Sequence, residues 1–373
     1  MTEEETTRRI AVNTGGGDAP GLNAVIRAVV LTAIQRDWEV YGIENGYAGL
    51  LDGEEGEVVA LNRERVRGIT FLGGTILGTT SRGNPFEWPV VENGEVVDRL
   101  DRSDELVEEF RDRGFDCLVA IGGDGSLRLA HRLSQKGMPV VGVPKTIDND
   151  VAGTDFTFGF HTAVETATEA IDKIHTTAEA HERVMVVEVM GRDAGWIALY
   201  SGLAGTADVI LIPEIPFRIE AVCEKIRERE RRGRDFAVVC VAEGARHVGR
   251  EEAVTKEVPS GEVTQTRLGG IGQVVAEEIA EHTGKETRSV VLGHLQRGGT
   301  PSPYDRLIAL RFGAAAVRCI ADGHPGCMVG LQDDGITHMP LEEALEQKKY
   351  VDTEGDVVQT ARELGIAFGD GEV

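Results

Sequence analysis

The sequence is as informative for what it lacks as for what it contains. No apolar run approaches the about 18 residues that a membrane helix needs, and the N-terminal segment MTEEETTRRI has neither an apolar signal core nor a basic transit pattern. Cysteine is scarce: the 5 cysteines are scattered, form no CxxC motif, and include Cys117 and Cys240 inside apolar runs. These features predict a cytoplasmic protein with reduced, buried thiols.

Positive charge is also in short supply. The 373 residues include 39 Lys and Arg against 63 Asp and Glu, a net charge of −24. This balance argues against nonspecific binding to nucleic acid or to an anionic membrane. It does not exclude an anionic substrate, because local arginines can override the global field. The length predicts two domains with ample core.

Short apolar runs alternate with helical patterns along the chain. Segments 117–121 and 139–143 are rich in Val and Ile and lack polar alternation, which is typical of strands buried on both faces of a parallel sheet. Between them, segment 126–136 has apolar residues at helical spacing, and Gly137 ends it. The same alternation elsewhere predicts a doubly wound α/β protein.

Polar clusters follow these predicted strands. Gly122, Gly123, Asp124 and Gly125 follow the first, and Lys145, Thr146, Asp148, Asn149 and Asp150 follow the second. Ligands of parallel sheets bind beyond the carboxyl ends of the strands. Other strand ends and loops carry the triple glycine at 15–17, Arg82 in the loop 73–86, Arg192, Glu243 and His294. One glycine-lined site with acids and cations is therefore expected.

These residue types suit phosphoryl transfer. Glycine loops before helices offer backbone donors to phosphates, and Asp124 beside a polyphosphate suits Mg²⁺. Asp148 suits the acceptance of a proton from a hydroxyl, and arginines bind phosphate. Taken singly, Asp148 also suits a helix cap or an Asx turn. Arg82 also suits a solvated surface position, Arg192 an ion pair with a surface carboxylate, and His294 a structural role.

The motifs GGDAPG, GGTILGTTSR, GGDGS, PKTIDND, MGR, AEG and GHLQRGG, in this order, resemble those of bacterial-type 6-phosphofructokinases. The resemblance extends from Ile10 to about Leu364. It implies two similar Rossmann-like domains with the active site in the cleft between them. The implied glycolytic reaction is transfer of a phosphoryl group from MgATP to the 1-hydroxyl of fructose 6-phosphate, giving fructose 1,6-bisphosphate.

The resemblance also implies roles for individual residues. Asp148 would accept the proton, with Arg192, Thr146 and Asp150 beside the reacting groups, and Asp124 would hold Mg²⁺. The donor nucleotide would contact Gly16, Arg82, Gly123, Asp124, Gly125 and Ser126. Fructose 6-phosphate would contact Thr146, Ile147, Asp148, Met190, Gly191, Arg192, Glu243, His294, Leu295, Gln296 and Arg297, together with Arg183 and Arg288 from a neighbouring subunit.

Domain division and assembly follow from the same resemblance. The donor domain would comprise residues 1–159 plus about 296–346, and the sugar-phosphate domain residues 160–295 plus about 347–373. Because two arginines would reach a neighbour's site, a homotetramer or at least a homodimer is implied, with neither nucleic acid nor membrane as a partner.

Two departures from the family pattern concern the donor and the effectors. Gly125 matches the ATP-using branch, whereas Lys145 matches the pyrophosphate-using branch. A side chain at 125 would collide with the α-phosphate of a nucleotide, so the glycine favours ATP; a pyrophosphate-dependent enzyme is the alternative. Arg27 and Arg63 match the family's effector site, but Leu31 and His175 replace expected arginines, which predicts weak or absent effector control.

An NAD-kinase-like enzyme shares GGDG but not TIDND or GHLQRGG, and a non-catalytic binding subunit would have been free to lose Asp124, Asp148 and Asp150.

Overall fold

A computed structural model describes residues 7–51, 57–80, 83–92, 95–249, 254–260 and 263–371. The strands are β1 Arg9–Thr14, β2 Glu39–Ile43, β3 Val58–Leu61, β4 Trp88–Glu92, β5 Glu95–Leu100, β6 Cys117–Gly122, β7 Val140–Thr146, β8 Phe158–Gly159, β9 Val184–Val189, β10 Val209–Leu211, β11 Ala237–Ala242, β12 Thr255–Ser260, β13 Val263–Leu268, β14 Thr287–Val291, β15 Cys327–Gln332 and β16 Gly335–Pro340.

The helices are α1 Leu22–Ile34, α2 Ala48–Leu51, α3 Ser103–Asp112, α4 Asp124–Gln135, α5 Phe160–His181, α6 Trp196–Ala204, α7 Ile219–Arg231, α8 Ile271–Thr283, α9 Pro303–Ala321, α10 Leu341–Ala344 and α11 Asp356–Glu363, with a 3₁₀ turn at Gly293–Arg297. The chain divides into two compact units. The first contains Met1–Thr146, Val151–Gly159 and Arg297–Lys348, and the second contains Ile147–Asp150, Phe160–Gln296 and Lys349–Val373.

The first unit is built on a sheet with the order β16-β15-β7-β6-β1-β2-β3, with β8 paired to β7. Strands β2, β1, β6, β7 and β15 run parallel, and the two outermost strands, β3 and β16, run antiparallel to their neighbours. The strand order reverses between β1 and β6, because β1 leads to β2 on one side and β6 leads to β7 on the other. This is the topological switch point at which α/β proteins bind ligands.

Helices α1 and α9 cross closely in the first unit. A Cβ on Gly313 of α9 would lie 2.6 Å from the carbonyl oxygen of Val25 and 2.7 Å from Cβ of Ala28. A glycine at this crossing therefore lets the two backbones approach more closely than a side chain would permit. Helices α1 and α9 both pack on one face of the sheet, in a core that includes Val12, Val119 and Val143.

The second unit contains a parallel sheet with the order β10-β11-β9-β14. Its helices begin against buried carboxylates. Glu188 of β9 is 2% exposed and accepts backbone N–H bonds from Gly270 and Gly272 at the start of α8. Glu214 accepts the N–H of Gly195 at the start of α6, and burial raises the pKa of its carboxyl. Both helix dipoles are thus compensated within the unit.

The predicted α/β fold class is confirmed, with Rossmann-like parallel sheets in both units. The helix predicted for 126–136 begins two residues earlier, at Asp124, so Gly125 and Ser126 belong to its first turn rather than to a preceding loop. The assignment of one domain to the donor and the other to the sugar phosphate stays a prediction. Across the described ranges, none of the helices combines the length and apolar character needed to cross a membrane.

Candidate functional site

The first unit presents a glycine loop directly after β1. The N–H of Gly15 donates to the carbonyl of Ile121 at the end of β6, over 2.9 Å. Gly16 adopts φ +79°, a left-handed conformation that favours glycine, and its N–H donates to the carbonyl of Thr80 over 3.1 Å. The loop is therefore joined on one side to β6 and on the other to the segment ending at Thr80.

The glycines after β6 lie beside this loop. A Cβ on Gly15 would lie 2.9 Å from Oγ of Ser126, and a Cβ on Gly122 would overlap the same side chain. The predicted donor-binding residues Gly16, Gly123 and Ser126 are thus brought together at the switch point. Helix α4 begins here with Gly123 as its N-cap and without a hydrogen bond from a capping side chain. An uncapped helix N-terminus beside glycine backbone suits a phosphate.

Gly125 occupies an open position in the first turn of α4. A Cβ built there meets no atom within 4 Å, and the backbone is not left-handed. The protein itself therefore leaves room for a side chain at this position.

Asp124, the predicted magnesium ligand, is held by an arginine one turn further along α4. Its Oδ1 lies 2.9 Å from Nη2 of Arg128, and its Oδ2 accepts the Nε–H over 3.0 Å. The carboxylate remains 21% exposed. No group of three or more metal-ligating side chains occurs among the described residues. Asp124 therefore fits an ion held by one carboxylate and by substrate oxygens, provided that Arg128 yields one oxygen.

Two cations converge on Gly17. The buried ammonium of Lys145 donates to the Gly17 carbonyl, and a Cβ on Gly17 would overlap the guanidinium of Arg297. A Cβ on Gly16 would lie 3.7 Å from Nζ of Lys145. Lys145 thus lies at the predicted donor loop, as expected for a residue that affects the donor. Arg297, predicted at the sugar 6-phosphate, lies against the same loop in this unit.

The TIDND segment enters the second unit at Ile147, directly after Thr146. Asp148 is 5% exposed, and Asn149 has a left-handed φ of 53°. The Asn149 side chain accepts from the ammonium of Lys349 over 3.0 Å, and the carbonyl of Asp150 accepts the Lys349 N–H over 3.0 Å. Lys349 thus holds the C-terminal end of this short segment through the Asn149 side chain and the Asp150 backbone.

The carboxyl ends of β9 and β11 place Arg192 next to Glu243. Oε1 of Glu243 accepts the Arg192 N–H over 3.0 Å, and burial raises the pKa of the Glu243 carboxyl. Arg192 has a left-handed φ of 50°, and a Cβ on Gly191 would lie 2.5 Å from the carbonyl of Ala194. Strained backbone of this kind concentrates at functional sites. Met190 precedes this turn and is half-buried.

The GHLQRGG motif forms the 3₁₀ turn that follows β14. His294 and Leu295 are exposed, whereas Gln296 is fully buried. The Gln296 amide donates to the Gly293 carbonyl over 3.1 Å, and its buried oxygen accepts no hydrogen bond within the described part of the chain. In this arrangement Gln296 fixes the turn, while His294 stays exposed at the edge of the sheet where Arg192 lies.

Arg183 and Arg288 lie together at the opposite edge of the same sheet. Both pair with Glu286, Arg183 at 3.0 Å and Arg288 at 2.7 Å. Arg183 precedes β9 and Arg192 follows it, so a whole strand, about 17–20 Å long, separates the two arginines. The pair on Glu286 therefore lies apart from Arg192 and Glu243 of its own unit.

The effector-related positions have local partners. Arg27 donates to the Val66 carbonyl over 2.8 Å, and Leu31 packs on the core of the first unit, while Arg63 is exposed. In the second unit His175 lines a cavity of about 620 Å³, and its Nε2 lies 2.9 Å from the Gly205 carbonyl.

Three further residues bear on the predicted site: one lies outside the described residues, and two were not predicted from the sequence. Arg82 lies outside the described residues. Sequence reasoning missed Arg128, which stands four residues after Asp124, a spacing that predicts an ion pair on a helix. It also missed Asn23, although a polar residue on the apolar face of α1 is a signal in itself.

The chain was compared with known proteins. A family model described as Phosphofructokinase matches residues 9–320. The ATP-dependent 6-phosphofructokinase of Chloroflexus aurantiacus is 52% identical, covering 97% of this chain and 98% of its own length. The pyrophosphate–fructose 6-phosphate 1-phosphotransferase of Amycolatopsis mediterranei is 50% identical over 97% of this chain and 100% of its own. The crystal structure of Pichia pastoris phosphofructokinase in the T-state is 31% identical with a TM-score of 0.78; the match covers 97% of this chain but 37% of that one.

Proposed function

The chain belongs to the phosphofructokinase family, and from this premise we propose that it transfers a phosphoryl group from MgATP to the 1-hydroxyl of fructose 6-phosphate, yielding fructose 1,6-bisphosphate in glycolysis. The observation that carries the proposal is the uncapped N-terminus of α4, which meets the glycine loop of β1 at the switch point of the first sheet. The backbone N–H groups at this helix end and in the glycine loop suit the oxygens of a polyphosphate. The reaction and the buried free thiols favour the cytoplasm as its place of action.

On the donor side, the proposed binding groups are the backbone of Gly16, Gly123 and Gly125 with the hydroxyl of Ser126. Lys145 supplies a fixed positive charge beneath the loop, where it can attract a terminal phosphate. Asp124 would hold Mg²⁺, which supplies charge neutralisation of the donor when it is bound. Arg82 is proposed to contact the same donor on the strength of the family resemblance.

On the acceptor side, Asp148 is the proposed base for the 1-hydroxyl, and Thr146, Ile147 and Asp150 flank it in sequence. Its carboxylate stands in a segment fixed by Lys349, which favours orientation over free rotation. Arg192 is proposed to steady the transferring group, with Glu243 holding its backbone and the sugar hydroxyls. Met190, Gly191, His294, Leu295, Gln296 and Arg297 are the further proposed contacts of the sugar phosphate.

Pyrophosphate is the second candidate donor, because Lys145 and the Amycolatopsis relative favour it. Gly125 favours ATP instead. The open volume at this position can accommodate the α-phosphate of a nucleotide, and pyrophosphate has no third phosphate to fill it. Lys145 can contact a terminal phosphate of either donor, so its presence excludes neither. The balance favours ATP.

Initial rates with fructose 6-phosphate and Mg²⁺, measured with ATP and with pyrophosphate, test the donor directly. We expect turnover with ATP, and turnover with pyrophosphate alone would contradict the proposal. Gly125→Asp should lower kcat/KM for ATP by at least about 100-fold, because like charges brought together cost several kcal/mol. Gly125→Ala and the uncharged Gly125→Asn are matched controls that separate charge from bulk. All three should keep the wild-type Tm, since the position is open.

Replacement of the proposed base distinguishes an enzyme from a binding subunit. Asp148→Asn keeps the shape of the side chain but cannot accept the proton, so kcat should fall by about 10²- to 10⁴-fold. The KM for fructose 6-phosphate should change little. A variant that keeps its wild-type rate would remove Asp148 from the mechanism.

We further propose that active sites are shared between subunits. Arg183 and Arg288 share Glu286 at the amino edge of the second unit's sheet, whereas Arg192 and Glu243 lie at its carboxyl edge. A sugar phosphate bound at the carboxyl edge would be out of reach of the pair on the same chain. A second copy would supply the pair, so a homodimer or homotetramer would be the active form.

Subunit complementation tests this sharing. Asp148→Asn and Arg288→Ala should each be nearly inactive alone. After the two proteins are dissociated and reassembled together, hybrids contain one site with an intact Asp148 and an intact partner arginine. About a quarter of the wild-type activity should return. Mixtures of either variant with itself serve as controls, and no recovery in verified hybrids would argue against sharing.

Effector control is expected to be weak. The cations lining the His175 cavity are already paired, Arg229 with Asp208 and Arg232 with Glu228, and Arg27 is engaged by a backbone carbonyl. Rates at subsaturating fructose 6-phosphate should therefore change less than about twofold with ADP or phosphoenolpyruvate. Strong inhibition by micromolar phosphoenolpyruvate would contradict this expectation.

A further inference from the structure

Asn23 is a polar residue on the buried face of an apolar helix. It is 2% exposed, and its neighbours in the first turns of α1, Leu22, Ala24, Val25 and Ile26, are buried apolar residues. Burial of an amide without hydrogen bonds costs free energy. The position of Asn23 therefore raises the question of what its side chain holds.

The amide of Asn23 binds the backbone on both sides of a glycine pair. Its Nδ2 donates to the carbonyls of Leu72 and Gly73, each over 3.2 Å, and its Oδ1 accepts the N–H of Ile76 over 2.8 Å. Both donor hydrogens and the acceptor are in use. One side chain thus fixes the start of the GGTILGTT segment to α1.

The other end of that segment contacts the proposed donor loop. Thr79 donates its hydroxyl to the Gly16 carbonyl over 2.7 Å, and the Thr80 carbonyl accepts the Gly16 N–H over 3.1 Å. Thr14, the last residue of β1, donates to the Gly78 carbonyl over 2.6 Å. Segment 72–80 is therefore hydrogen-bonded to Asn23 at one end and to β1 and its glycine loop at the other.

We propose that Asn23 is a positioning residue for the phosphoryl donor, because it fixes the segment whose other end holds Gly16 of the glycine loop in its left-handed conformation. Asn23 itself lies in the core and touches no substrate. The inference rests on the proposed ATP-dependent activity. It adds a residue that affects binding of the donor more than binding of the acceptor. Most of the residues proposed to bind fructose 6-phosphate belong to the second unit, although Arg297, which lies against Gly17, belongs to the first. The KM for fructose 6-phosphate should therefore change much less than the KM for ATP.

The test compares Asn23→Asp, Asn23→Ala and Val29→Ala. Asn23→Asp conserves volume but turns two donors into acceptors that face the Leu72 and Gly73 carbonyls, so it should disturb the segment more than Asn23→Ala does. Val29 is a fully buried residue two turns along the same helix, and its truncation leaves a cavity without removing any bond to segment 72–80. It is the control for lost stability.

Four quantities are to be measured for each variant: the KM for ATP, the KM for fructose 6-phosphate, the Kd of ADP with Mg²⁺ by calorimetry, and Tm. Asn23→Asp should raise the KM for ATP and the Kd of ADP by about 10- to 100-fold, as expected for small misplacements of binding groups, with the KM for fructose 6-phosphate within about twofold. Val29→Ala should lower Tm and leave all three constants unchanged. If Asn23→Asp fails to fold, Asn23→Ser, which keeps one donor, should still raise the KM for ATP and the Kd of ADP above the wild-type values, and unchanged constants in Asn23→Ser would then overturn the inference.

The inference is overturned if Asn23→Asp lowers Tm with unchanged constants for ATP and ADP, as a purely structural residue would, or if both substrates are affected equally. Failure of the proposed function looks different, because the wild-type protein itself would then neither turn over ATP with fructose 6-phosphate nor bind ADP.

Discussion

The donor side of this protein depends on how closely two strand ends approach each other. Gly15 donates its N–H to Ile121 at the end of β6, and Ser126 fits into the space that a Cβ on Gly15 or Gly122 would occupy. Larger residues would separate β1 from the first turn of α4. Because the glycines keep the backbones in contact, the N-terminus of α4 and the glycine loop face the same small volume, where a phosphate can accept from both.

Helix N-termini in this protein differ in what they face; α7 and α11 of the second unit begin, like α4, without a hydrogen bond from an N-cap side chain. In the second unit, α8 begins against Glu188 and α6 against Glu214, so each positive helix end already has a carboxylate. In the first unit, α4 begins at Gly123 without a capping side chain, and its first acid, Asp124, turns back to Arg128. The start of α4 is distinguished by its position beside the glycine loop rather than by the missing cap alone, and this combination supports the proposed donor site there.

The sequence supported the fold class and the identity of the polar clusters, because both depend on local patterns. Apolar runs followed by glycine and acids predicted the carboxyl ends of β6 and β7, and these are where Asp124 and Lys145 lie. The start of α4 was misplaced by two residues because glycine has a low helix propensity and an uncapped helix shows no capping residue in its sequence. Long-range contacts could not be predicted from local sequence patterns. Nothing local indicates that Arg297 packs on Gly17, or that Glu286 pairs with both Arg183 and Arg288.

Gly125 and Lys145 have different physical consequences, and the difference decides how a mixed donor signature is interpreted. Lys145 is buried and donates to the Gly17 carbonyl, so its position is the same whichever donor binds, and the phosphate group that it is proposed to contact is one that both donors possess. Gly125 is exposed, and the chain around it has no use for the empty volume. We propose that this open volume accommodates a phosphate of the donor. Only the nucleotide has a third phosphate to place there, and for this reason the glycine carries more weight than the lysine.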